Sequence, residues 1–238
     1  LCELAPTDLA SHQSYSPFCL KAHRALRAAG LPYTSRHADR PDAHRLSPTD
    51  QVPVLLVDGR VVADSTHILE EVLALAPGRL DARPEAWLWE ELADTALNGF
   101  VVAARWADDD NWPRTRQAYF GGIPAPLRGL IGRKLRAGVL RTLVARDVWR
   151  AGPVACWARL DRLLDQLEAR APERTWWCGP ALSVADVALF AQLHSLRTAL
   201  TPRQAEAVAR RPRLTAWLER VDAATRTAAA PAPRVKAA

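Results

Sequence analysis

Val54-Leu55-Leu56-Val57-Asp58-Gly59-Arg60-Val61-Val62-Ala63-Asp64-Ser65 is the stretch that decides the fold. Two aliphatic runs separated by Asp-Gly read as a β-hairpin, because that pair readily supplies the left-handed residues a two-residue strand connection needs. Asp64-Ser65 stops the second strand. Ile68, Leu69, Val72 and Leu73 follow at helical spacing, so a helix begins where the hairpin ends, with Ser65 as its N-cap. Val52-Pro53 stands at the mouth of the first strand, where the missing proline N–H costs no ladder bond and a cis peptide is cheap. Pro53 is therefore expected to be cis.

Upstream, Ser16-Pro17 reads as a helix start, with the cap at Ser16 and proline in the first turn. Phe18, Cys19, Ala22, Ala25, Leu26 and Ala29 give its apolar face, and Gly30 ends it. Strands are expected at Leu1 to Ala5 and at Leu31 to Thr34, with a short helix at Asp42 to Leu46. Strand, helix, strand, then hairpin and helix is a thioredoxin-like order. Downstream, Pro77-Gly78 marks a linker. From Pro84 the periodicity is helical, with Leu88, Leu92, Ala96 and Val102 or Ala103 expected inward as far as Trp106. A short helix is expected at Arg114 to Tyr119. Leu127 to Val144 reads as an apolar stripe with basic residues opposite, and a helix from Pro153 is expected to turn Val154, Trp157, Leu160, Leu164 and Leu167 inward. Ser183 and Asp186 form a reciprocal capping box, Thr201-Pro202 repeats the logic, and Pro212 opens the last helix. The expected fold is α/β plus all-α: a domain over 1–76, a helical domain over 84–228 and a disordered tail over 229–238.

The composition narrows the function classes. The 238-residue chain carries a net charge of +6, but the eight basic and no acidic residues between Asn111 and Arg146 account for all of it. Without them the remainder sums to −2, so the basicity is local. That segment lacks regularly spaced aromatics for stacking bases, so no nucleic acid is expected; its basic residues read as a solvated helix face, which leaves a peripheral membrane protein using residues 111–146 as the least favoured of three readings. Four scattered cysteines without a Cys-x-x-Cys pair favour free thiols. No apolar run approaches membrane-spanning length and no leader pattern is visible, so a cytoplasmic protein is expected. The six histidines lack metal-ligand spacing, and no metal is expected.

Ser16-Pro17-Phe18-Cys19, Val52-Pro53, Asp64-Ser65 and Ser183-Val184-Ala185-Asp186, in that order and spacing, resemble the glutathione transferase superfamily over nearly the whole chain. Ala63-Asp64-Ser65 and the Trp-, Pro- and Arg-rich region from Trp106 to Arg150 look most like its metaxin and failed-axon-connections branch and the bacterial members of that branch. The resemblance implies a thioredoxin-like glutathione-binding domain followed by an all-helical one. It implies glutathione as co-substrate, a small electrophile as partner, and a homodimer. On that reading the Val52 backbone before Pro53 pairs with the cysteinyl backbone of glutathione, while Asp64 and Ser65 hold its γ-glutamyl end. Asp64 stands where the family more often has Glu or Gln. Ser16 would face the sulfur and favour its thiolate, leading to conjugation or reduction of electrophiles.

Plainer readings stand beside these. Ser16 is equally readable as a structural N-cap, and Asp64-Ser65 as a simple helix cap. Tyr15, Phe18, Trp106 and Tyr119, with Ser14, are candidates for a second-substrate pocket, but Phe18 and Trp106 also read as core. Asp186 reads as structural. The alternative to an enzyme is a non-catalytic transferase-like binding or scaffold protein of the metaxin type.

Overall fold

In the computed structural model of the chain, Asp58 and Gly59 both take positive φ, 47° and 80°, as a two-residue hairpin turn of the favoured hand requires. The structure describes residues 1–3, 7, 9, 12–37, 46–48, 50–145 and 148–227. Strands β1 (Cys2–Glu3), β2 (Arg36–His37), β3 (Val54–Val57) and β4 (Arg60–Ala63) form one sheet in the order β2-β1-β3-β4. β1 runs parallel to β2 and antiparallel to β3, and the Asp58-Gly59 turn sets the register Val54↔Ala63 through Val57↔Arg60. The second strand comes later than Leu31 to Thr34. That segment instead offers the Thr34 carbonyl to the Leu1 amine at 2.8 Å, and pairing resumes at Arg36 N–H to Leu1 O. The short helix expected at 42–46 lies, but for Leu46, outside the described residues, as do the stretch beyond Glu3 to Ala5 and the tail after Thr227.

Helix α1 (Pro17–Ala28) connects the parallel pair β1 and β2 and ends as the sequence implies. Gly30 has φ 70°, its N–H bonds to Arg27 O and the Leu31 N–H to Leu26 O. These are the two bonds of a Schellman cap, which satisfies carbonyls the helix cannot. Helix α2 (Ser65–Leu75) packs beside α1. Its N-cap is Asp64 rather than Ser65, since Asp64 Oδ1 accepts the Thr66 N–H at 2.8 Å and Ser65 is already helical.

The chain divides into two compact units, one of residues 1–91, 172–191 and 216–238, the other of 92–171 and 192–215. From Pro84 to Ala107 the backbone stays helical through α3 (Pro84–Leu92) and α4 (Asn98–Val102), with π-helical turns at Ala93–Leu97 and Ala103–Ala107. Of the face expected inward there, only Ala103 is buried, and Leu92, Ala96 and Val102 are half-buried. Leu88 is 72% exposed, while Ala86, Glu90, Ala93 and Leu97 are buried, because Glu90 meets a buried lysine. Each π turn then adds a residue and rotates the face beyond it.

The helices that follow are α5 (Trp112–Phe120), α6 (Ala125–Ala145), α7 (Gly152–Arg170), α8 (Val184–Leu196), α9 (Pro202–Ala209) and α10 (Pro212–Thr225). Leu160, Leu164 and Leu167 of α7 are buried with Trp157, but Val154, in the first turn, is 83% exposed. The α6 stripe does not face inward either. At 100° per residue its apolar side chains are spread round the helix, and the face turned to the protein carries Gly132 and Leu143. Thr201 makes no side-chain cap bond to α9, and its hydroxyl donates to Leu196 O at 2.8 Å.

Helix α8 is buried on every side, so its start must satisfy polar groups internally. Asp186 Oδ2 accepts from the Ser183 N–H at 2.9 Å and the Ser183 hydroxyl at 2.5 Å, and Ser183 Oγ faces the Asp186 N–H at 3.3 Å. Asp186 Oδ1 also accepts the Trp177 N–H at 2.8 Å and Trp217 Nε1–H at 2.9 Å. One carboxylate therefore ties together a loop, the start of α8 and α10. Burial raises its carboxyl above the ordinary range despite these four donors.

Candidate functional site

The register of the hairpin builds the site. Because Val54 pairs with Ala63, the residues just before β3 and just after β4 emerge at one end of the ribbon. They are Val52-Pro53 and Asp64-Ser65. The Val52-Pro53 peptide is cis, as the sequence leads one to expect. Pro53 is buried and Val52 half-buried, and at 52 a backbone N–H and C=O stand just outside the ladder.

At the same end, α2 begins. Its first turn offers unpaired N–H groups and the positive end of the helix dipole, a setting that attracts a carboxylate. Asp64 holds φ 80° and ψ 138°, a conformation that costs a non-glycine residue roughly 1–3 kcal/mol and that gathers at binding sites. Its Oδ1 is committed to Thr66 N–H, leaving Oδ2 to meet a cation. Ser65, next to it, is buried. An acid beside a helix N-terminus can therefore hold the ammonium and carboxylate of one zwitterionic amino acid.

Ser16 caps α1. Its backbone is extended at φ −80° and ψ 124°, and its Oγ accepts the Cys19 N–H at 3.3 Å. That bond uses an oxygen lone pair and leaves the hydroxyl proton to donate, so the capping and thiol-facing roles are compatible on one oxygen. The preceding loop is pinned by Ser14 Oγ, buried, which accepts the Ser16 N–H at 3.3 Å. Since β1 and β2 are parallel, α1 must return along the sheet, and its N-terminus lies where β1 exits. β3 enters antiparallel beside β1. Ser16, Val52-Pro53 and Asp64-Ser65 thus share one end of the sheet. Cys19 lies inward, fully buried.

The four second-substrate candidates divide. Trp106 and Tyr119 meet edge to face with ring centres 5.3 Å apart, in a cluster with Trp112 and Phe120. Arg136 braces this cluster by donating to Trp106 O at 2.7 Å while its guanidinium lies 5.0 Å from the Trp112 ring. Tyr15 and Phe18 are half-buried at the start of α1, in the other compact unit.

The sequence reading missed a buried polar cluster beneath the site. Lys21 Nζ lies 2.7 Å from Glu90 Oε1, and the Thr66 hydroxyl donates to the same oxygen at 2.7 Å. It joins α1, the first turn of α2 and α3. One signal was present, for Lys21 stands between Phe18 and Ala25 at helical spacing, a charge on an otherwise apolar face.

Comparisons with known proteins bear on the family and the fold. The description of the glutathione S-transferase N-terminal domain matches residues 17–111, and that of the glutathione S-transferase C-terminal domain matches residues 133–220. No curated protein matches the chain. Among solved structures, a glutathione S-transferase of Rhodospirillum rubrum is 19% identical with TM-score 0.60, over 89% of this chain and 86% of that one. The β-etherase LigF of Sphingobium sp. strain SYK-6 is 21% identical with TM-score 0.58, over 90% and 95%. A glutathione S-transferase of Methylobacterium radiotolerans, in complex with glutathione sulfonate, is 19% identical with TM-score 0.57, over 100% and 98%. At these identities the likeness is one of fold: a thioredoxin-like N-terminal domain and a helical C-terminal domain.

Proposed function

Because the chain carries both glutathione S-transferase domains and so belongs to that superfamily, we propose that it is a glutathione-dependent transferase whose glutathione site is the end of the β3–β4 hairpin. The observation that carries this reading is the pairing of Val54 with Ala63, which sets a cis-proline backbone edge and a helix N-terminus side by side. The Val52 backbone pairs with the cysteinyl part of glutathione beside Pro53. Asp64 Oδ2 takes the γ-glutamyl ammonium, and the Ser65 hydroxyl with the first N–H groups of α2 takes its carboxylate.

The Ser16 hydroxyl donates a hydrogen bond to the sulfur, whose proton passes to solvent as the thiolate forms. A free thiol titrates near 8.5, and a donor at a helix N-terminus favours the thiolate at neutral pH. The thiolate sulfur forms a bond to the electrophilic atom of a small substrate as the leaving group departs with its electron pair. Tyr15 and Phe18, next to Ser16 at the start of α1, are the proposed wall for that substrate. We place the domain boundary between residues 76 and 84, and a cytoplasmic homodimer belongs to the same proposal.

One observation favours a second reading, that of a metaxin-type binding or scaffold protein. Asp64 is short and already shares Oδ1 with Thr66 N–H. Steady-state conjugation of glutathione to an activated aryl halide separates the readings. The transferase reading predicts turnover above the uncatalysed rate, with Ser16→Ala slowed most at neutral pH and recovering as the thiolate forms unaided at higher pH. No turnover by the wild type, with glutathione nonetheless bound, would favour the scaffold.

A further inference from the structure

In the sequence the basic residues of α6 read as a solvated face with the leucines largely opposite, whereas the structure exposes leucines and cations on the same side. Leu127 is 52% exposed, Leu130 60% and Val144 44%. At 100° per residue, Leu127, Leu130, Lys134, Ala137, Arg141 and Val144 fall within about a third of the helix circumference. Arg133 flanks them. The face toward the protein, with Gly132 and Leu143, lies on the opposite side.

Two other arginines of this helix are occupied. Arg128 donates to Gly121 O, Ile123 O and Gln117, and Arg136 to Trp106 O, Ala107 O and Asp109. Arg133, Lys134 and Arg141 make no hydrogen bond or ion pair among the described residues, and all three are exposed. No acidic residue occurs between Asn111 and Arg146.

Three kinds of partner fit an exposed face of leucine interleaved with cations, and the chemistry separates them. A second copy of the same face would set Lys134 and Arg141 against like charges. A single amphipathic partner helix would bury both cations in the centre of its seam, where removing an ammonium and a guanidinium from water costs several kcal/mol each unless every donor is met. A bilayer surface asks for neither. Leucines enter the acyl boundary while long cationic side chains lie along it and reach anionic headgroups.

We propose that the outward face of α6, formed by Leu127, Leu130, Arg133, Lys134, Arg141 and Val144, docks the protein onto an anionic lipid bilayer. No helix among the described residues is long and apolar enough to cross a membrane, so α6 lies in the interface plane. Each cation held near an anionic surface contributes on the order of fivefold in affinity, screened within a Debye length.

The test is flotation of the full-length protein with vesicles of phosphatidylcholine alone and of phosphatidylcholine mixed with phosphatidylglycerol, at low and high salt. The wild type should float with the mixed vesicles only, and salt should release it. Lys134→Gln with Arg141→Gln should weaken binding about 30-fold. Leu130→Ser with Val144→Ser, which leaves the charge unchanged, should weaken it about tenfold or more. All four side chains are exposed, so unchanged melting midpoints will show that the variants fold. The proposal is overturned if the wild type ignores anionic vesicles. It is also overturned if the Leu130/Val144 variant binds them like the wild type, or if soluble poly-glutamate is bound as tightly as the vesicles, which would point to an acidic chain.

Discussion

Lys21 on α1 and Glu90 on α3 face each other at 2.7 Å with neither exposed to solvent, and Thr66, one residue beyond Ser65, donates to the same carboxylate oxygen. The pair therefore supports the first turn of α2 from beneath. Removing one member leaves the other as an uncompensated buried charge, which costs roughly 3–5 kcal/mol. Glu90→Ala and Lys21→Ala should each lower stability by that amount in denaturant titrations. Lys21→Met combined with Glu90→Leu should recover much of the loss. A double variant as unstable as the sum of the singles would show that the two side chains are not acting as a pair.

Asp186 should prove costlier to remove than a single helix cap, which contributes about 1 kcal/mol. Its carboxylate meets four buried donors, and each donor left bare costs about 1–3 kcal/mol. Asp186→Ala should destabilise by at least about 3 kcal/mol, a drop in melting midpoint on the order of 6–12 °C for a chain of this size. A drop of only a few degrees would mean that water or repacking replaces the carboxylate.

Asp222 gives a signed pH dependence. Burial alone would raise its carboxyl, but hydrogen bonds from Arg226 and Arg24 and the attraction of their charges outweigh it and hold the carboxyl below the ordinary value of 3.8. The contribution is therefore complete above that value and lost as pH falls through the lower, folded-state one. Asp222→Asn should melt below the wild type at pH 6, and the gap should close as pH drops below about 4. A gap of constant size down to pH 2.5 would contradict the assignment.

The thiols should be silent. All four cysteines are free and buried, and burial pushes the Cys156 thiol up to about 12, where almost none is the reactive thiolate at neutral pH. A disulfide reagent added to native protein should titrate no thiol within minutes, and four after unfolding. Rapid reaction of one thiol in the native state would bring Cys19 back as a candidate for the chemistry.

What the sequence made legible was local. Asp58-Gly59 announces its turn because few other pairs take two positive φ values, and Ser183 and Asp186 announce a helix start because both halves of the box lie three residues apart. Val52-Pro53 and Asp64 were legible for the same reason, although the side-chain cap proved to be Asp64 and not Ser65. Contacts between residues distant in sequence were not legible. Glu90 reads as a surface residue until Lys21, 69 residues away, is placed against it, and with Glu90 outward Leu88 falls inward. The π turns are equally silent, since nothing in Ala93 to Leu97 distinguishes a wider turn from an ordinary one. In α6 the many apolar residues ring the helix, so composition alone could not say which side meets the protein.

Calorimetric titration of glutathione into the wild type and into Ser65→Ala decides whether the end of the β3–β4 hairpin holds glutathione. The wild type should bind saturably at millimolar ligand or below. Ser65→Ala should bind roughly 10- to 150-fold more weakly, through the loss of one charge-assisted hydrogen bond to the γ-glutamyl carboxylate. No heat of binding by the wild type at millimolar glutathione, or equal affinity in the two proteins, would rule out a glutathione site there.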